Sequence, residues 1–173
     1  MLSSVVTEFK NTIVAAIQGT SDILTSLRET VKTQVVGSVA NVSEIVEAGM
    51  ISAKDVGTAL IGVAKDVVSA AIMGVSETGG DAMLAVSKAV SGAVRGAAEV
   101  GEDVGAVAVS AVEGAIDAAG KLGKDTSEAT KEALVSAVKS ADEIGDEAGK
   151  SVRDALLSAA SLPRDIVESV VKG

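Results

Sequence analysis

Chemistry needs reactive side chains, and this chain of 173 residues offers a short menu: it has no His, Cys, Tyr or Trp. Thiol, imidazole and haem-ligand chemistry are thereby excluded, and soft-metal sites with them. What remains is carboxylate, Lys, Ser and Thr. The acid pairs Glu99/Asp103 and Asp142/Asp146 stand one helical turn apart, the spacing at which two carboxylates could divide general acid and base roles. Both lie on the polar side of a periodic pattern, which reads as a solvated helix face. The stretch Gly145-Asp-Glu-Ala-Gly149-Lys150-Ser151 resembles a phosphate-cradling loop, yet it is one residue short of that spacing, follows no strand pattern and keeps the helical register. No dinucleotide fingerprint or calcium loop is present. The expectation is a protein that is not an enzyme, with no cofactor, no metal and no small-molecule substrate.

The pattern that absorbs these residues is a repeat. From Ala71 to Ser158 the chain is four 22-residue blocks without a gap, Ala71–Gly92, Ala93–Gly114, Ala115–Ser136 and Ala137–Ser158, each made of two 11-residue halves. Extending the frame to both ends gives one polar column, Asn11, Asp22, Thr33, Glu44 and onward through Glu99 and Ser110 to Asp165. Two residues later runs a column that is never polar; its central members are Val46, Gly57, Val68, Gly79, Val90, Gly101, Val112, Gly123, Leu134, Gly145 and Leu156. Eleven residues fit three helical turns, so such a repeat keeps one face in line on a nearly straight helix. The period-2 alternation of strands is absent.

These features predict an all-α protein: a long amphipathic helix, nearly continuous or bent into a hairpin, built from 11-residue (hendecad) repeats and packed side by side in an assembly. Residues 1–161 form one elongated helical region in this reading, with a possible kink or hairpin near Gly79-Gly80 and a weaker one near Gly120–Thr126, where Asp125 or Thr126 could cap a following helix. Leu162-Pro163 should end or bend the helix, leaving 162–173 as a Pro-initiated C-terminal segment. The unbroken phase favours continuity. Fully extended, the helix would span on the order of 240 Å.

Such a helix cannot stand alone. Each interior Gly costs about 0.8–1 kcal/mol relative to Ala, and the chain has 18 Gly against one Pro and one aromatic, Phe9. The apolar arc must therefore be covered by helices or by lipid. In its column Gly alternates with Val or Leu, while Val100, Leu122, Ile144 and Ile166 alternate with Ala89, Ala111, Ala133 and Ala155 in the preceding one. A neighbouring helix displaced by 11 residues could seat a Val against each Gly, and the Gly92/Gly96, Gly101/Gly105 and Gly145/Gly149 pairs would permit close backbone approach.

Twenty-four acidic residues against 15 basic give a net charge of −9, which opposes nucleic-acid binding. The start MLSSVVTEFK lacks the basic and apolar regions of a signal peptide. The longest uncharged runs, Asn11–Ser21 and Thr33–Ser43, are half the roughly 20 residues a spanning helix needs. A cytoplasmic protein is the expectation, with peripheral attachment to a membrane or lipid body as the alternative.

The phrases GAVRGAAEVGEDVG and EGAIDAAGKLGKDTSEATKEA resemble the 11-residue-repeat amphipathic regions of perilipins and, more distantly, synucleins and the 22-residue repeats of exchangeable apolipoproteins. The likeness is of period and composition across nearly the whole chain. Apolipoprotein repeats are usually punctuated by Pro, which occurs here once, and synuclein repeats are Lys-rich where this face is acidic. The resemblance implies reversible coating of lipid surfaces by helices lying in the interface. The functional expectation is thus a self-assembling amphipathic-helical coat or scaffold on lipid, with itself and a lipid surface as partners. The alternatives are a lipid-independent filament or bundle held by Val/Gly packing, and a stress-protective chain that folds from disorder.

Overall fold

The computed structural model describes residues 32, 41–55 and 60–173. Among these residues, seven helices have defined bounds: α1 (Val42–Asp55), α2 (Leu60–Glu77), α3 (Ala82–Glu99), α4 (Val104–Lys121), α5 (Thr126–Ile144), α6 (Asp146–Ser158) and α7 (Arg164–Val171). No strand occurs among the described residues.

The first residues of α2, α3, α4 and α5 (Leu60, Ala82, Val104, Thr126) are 22 positions apart. The 22-residue phrase is therefore one helix plus one turn. This corrects the expectation of a nearly continuous helix. The phase survives the breaks after α2, α3 and α4 because each is four residues long, an alternative that the period alone does not distinguish from unbroken helix.

The turns are near copies. Gly80 N–H donates to Val75 O at 2.9 Å, Glu102 N–H to Ala97 O at 2.9 Å and Lys124 N–H to Ala119 O at 2.9 Å. Each such bond closes the last turn of a helix around a residue in the left-handed region. That residue is Gly79 (φ 78°), Gly101 (φ 72°) or Gly123 (φ 66°), where a side chain would be strained. Two residues later an Asp starts the next helix. Asp81 accepts from the N–H groups of Met83 (2.9 Å) and Leu84 (3.2 Å), Asp103 from that of Ala106 (3.0 Å), and Asp125 from those of Ser127 (2.8 Å) and Glu128 (3.1 Å). Gly-x-Asp thus ends one helix and begins the next. The α5–α6 junction is shorter: Gly145 (φ 157°, ψ 167°) joins the two helices directly, with no side-chain cap. Pro163 occupies the N-cap position of α7.

Each helix packs against the next and the next but one. Helices α1, α3 and α5 make one layer, and α2, α4 and α6 the other, with α7 lying against α5 and α6. Neighbours within a layer run parallel, as partners that advance together along both helices show: Ser87 with Ser136, Ser91 with Ser140, and Arg95 with Glu143. Side-by-side packing is therefore present, but within one chain. The core between the layers is Ala and Val, with Met50, Leu60, Ile72, Leu134 and Leu156 as its largest fully buried members.

Candidate interaction surfaces

Of the apolar column singled out above, Val46, Val68, Val90, Val112 and Leu134 are fully buried and Leu156 nearly so. Val68, Val90 and Val112 fall at the centres of their helices and Leu134 close to the centre of its own. Gly79, Gly101, Gly123 and Gly145 sit in turns, and a Cβ on any of them would meet nothing within 4 Å. Gly57 lies outside the described residues. The structure thus brings the Val and Leu members together in the core and leaves the described Gly members of the column at the hairpin ends. The proposed seating of Val against these glycines does not occur. The alternation instead separates helix centres from helix ends: Ala89, Ala111 and Ala133 are buried mid-helix, while Val100 and Leu122 are the partly buried residues just before the turn glycines.

The glycines that do permit close approach are others, and Gly92, Gly96 and Gly105 of the expected pairs are among them. A Cβ on Gly92 would strike the backbone oxygen of Ser43, and one on Gly114 that of Lys65. At Gly96 it would lie 2.8 Å from Met50 Cβ, and at Gly105 2.8 Å from Ser151 O. Each is an in-layer seam: α1–α3, α2–α4 or α4–α6. The contact register recurs as well, with partners 48 or 49 residues apart in Ser87–Ser136, Ser91–Ser140, Ser110–Ile61 and Arg95–Glu143. That is two repeats plus about one helical turn. Ser110, a member of the polar column expected to face water, is buried and donates to the Ile61 carbonyl.

Charged groups line the rims of these seams. Arg95 of α3 pairs with Glu143 of α5 at 2.9 Å, Lys54 with Glu102, and Lys32 with Glu77 at 2.8 Å. Arg153 grips Asp142 through two bonds of 2.6 and 2.7 Å, which holds that carboxyl below its usual range. Glu47 is the exception to this pairing. Burial in the α1–α3 seam, a hydrogen bond shared with Glu99 and the nearby Glu99 charge raise its carboxyl to about 7, against an opposing pull from Arg95. Nothing in composition or period marks Glu47; the signal is its place 48 residues before Arg95, which itself stands 48 before Glu143.

The acid pairs considered for chemistry are dispersed to structural tasks. Asp103 caps α4 and Glu99 faces Glu47, while Asp142 is held by Arg153 and Asp146 opens α6. Ser151, from the loop-like stretch, backs onto Gly105. Among the described residues no three acidic groups are placed to hold a metal ion, and no helix is long and apolar enough to cross a membrane. Among the open grooves of the described residues, two border α5. One, of about 680 Å³, runs between the α3–α4 and α5–α6 turns past Glu102, Asp103, Ile144, Asp146 and Glu147. The other, of about 470 Å³, lies between α5 and α7 and is floored by Val135, Val138 and Val170. Comparison with family models, curated proteins and solved structures finds nothing that matches this chain.

Proposed function

We propose that this chain is a non-enzymatic structural protein, a helical-hairpin stack that acts as a lipid-independent scaffold and assembles with copies of itself. The observation that carries the reading is the fate of the apolar column: its Val and Leu members are covered by the chain's own helices, so no lipid is needed to shelter them. Self-assembly is supported by the edge of the stack. On α3 the face bearing Ser87, Ser91 and Arg95 is covered by α5. On α5 the matching positions, two repeats later, are Lys131, Val135 and Lys139, and Val135 remains 43% exposed. The eight-residue α7 covers this face only in part.

The test joins circular dichroism, light scattering and negative-stain microscopy, each with and without liposomes. The scaffold reading expects full helicity and a cooperative melt in dilute, lipid-free protein, larger particles as concentration rises, and no flotation with vesicles. A largely unfolded lipid-free chain that gains helix on liposomes would overturn it.

A lipid-surface coat is the second reading, favoured by one observation. The hairpin ends are bare around Gly79, Gly101 and Gly123, and the buried arc is continuous in sequence, so hairpins opening at these turns would lay the same apolar face on lipid. Flotation accompanied by loss of the α3–α5 proximity, measured by spin labels at Lys88 and Lys139, would select it.

A further inference from the structure

The in-layer seams share a register but differ in what they enclose. In the α3–α5 seam Ser87 meets Ser136, hydroxyl to hydroxyl at 2.7 Å. At the matching place in the α1–α3 seam, Ser43 meets Gly92, and the Ser43 hydroxyl is buried without a hydrogen-bond partner. Such an atom makes a seam costlier to keep shut. Along the same seam the α3–α5 pair has Arg95 facing Glu143 at 2.9 Å, a charge met by its opposite. The α1–α3 pair has Glu47 facing Glu99, two carboxyls, with the Glu47 backbone oxygen only 3.2 Å from where a Gly96 Cβ would stand. The charged groups acting on Glu47 are Glu99 and Arg95 of α3 and Glu44 of its own helix; no charged group of α2, the other described helix against α1, is among them. Arg95 is the one cation of the set, and it is already engaged by Glu143. Lys54, further along α1, is engaged by Glu102.

Partial burial, together with a second carboxyl facing it, disfavours the ionised form of Glu47. We propose that the α1–α3 seam is a proton-operated clasp: Glu47 keeps its proton, hydrogen-bonded to Glu99, while α1 is docked, and α1 swings off α3 when that proton is released to solvent. The direction follows from linkage. The folded-state value of Glu47, about 7, lies above the ordinary 4.5, so the docked form binds the extra proton. Docking is strongest below the ordinary value and weakens as pH rises through the folded one. This device goes beyond the scaffold reading and does not depend on it.

Hydrogen exchange of the full chain read by mass spectrometry, at about pH 5.5 and about pH 8.5 on either side of that value, tests the clasp. Rates are corrected for intrinsic exchange, and α5 peptides serve as the internal reference. The expected result is an opening of α1 that grows on the order of tenfold relative to α5 at the higher pH, about one pK unit of coupling after discount for solvent exposure. Glu47→Gln mimics the protonated carboxyl and should keep α1 protected at both values, as should Glu99→Gln. Glu143→Gln frees Arg95 to pair with Glu47 and should move the midpoint down. An α1-to-α5 ratio that does not change with pH in the wild-type chain, or a Glu47→Gln protein that keeps the wild-type response, would overturn the proposal.

Discussion

At the scale of single residues, glycine does two unrelated jobs, and substitution separates them. Gly101 has positive φ and open space around it, so Gly101→Ala should cost only the conformational penalty, about 1–2 kcal/mol. Gly114 has ordinary helical geometry but touches the Lys65 backbone. Gly114→Leu must push α2 and α4 apart and should cost at least the overpacking penalty of about 1–3 kcal/mol. Urea titration of both variants at equal protein concentration checks the ranking; a Gly114→Leu protein as stable as wild type would mean that the seam is not tight. Asp103→Ala removes the cap of α4 and should cost about 1 kcal/mol, read in the same titration. The sequence marked Gly92/Gly96 as a site of close approach, because small residues one turn apart have few other uses. Gly101 and Gly123 lie in turns and not in the packed stripe, because inside a period of 11 a turn glycine occupies the same column as the buried Val and Leu.

At the scale of the helix, what was legible was class and face. The buried arc follows from periodicity alone, and Val68, Val90 and Val112 are enclosed with no exposed surface. The hairpins were less legible because local rules conflicted with a global one. Gly79-Gly80 read as a break, yet preserved phase argued for continuity. The Gly-x-Asp turns resolve the conflict, since Asp81, Asp103 and Asp125 recur with the glycines and mark helix starts when read as caps. An experiment follows. Deleting residues 93–114 removes one helix-plus-turn unit and joins like to like, so the shortened chain should fold cooperatively, with a urea m-value lower by roughly an eighth, in proportion to the surface lost. Deleting only residues 93–103 preserves the 11-residue phase but takes out the turn at Gly101 and the Asp103 cap. A continuous helix would tolerate it; this stack should lose its cooperative melt.

At the scale of the whole molecule, the seams rest on packing and the ion pairs sit at their rims. Side chains of the Arg95–Glu143 pair are 46% and 48% exposed, and pairs of that kind contribute about 0–1 kcal/mol each. The melting temperature should therefore move by only a few degrees between low and high salt. A large fall in salt, followed by differential scanning calorimetry, would show that the charge ladder and not the Ala/Val core holds the layers. The acidic end around Glu102, Asp103, Asp146 and Glu147 and the half-covered face of α5 arise only when distant repeats are superposed. That placement depends on the 49-residue register of the seams, which no single repeat contains.

That register also bears on how the chain reaches its native state. A helix meets every in-layer partner no more than about fifty residues away, so adding repeats would lengthen the molecule without lengthening the loops that must close. Folding can start at any adjacent pair of hairpins and spread outward. A chain emerging from the ribosome could settle each hairpin as soon as the following one appears, and its folding rate would depend on the pair of hairpins and hardly at all on how many follow.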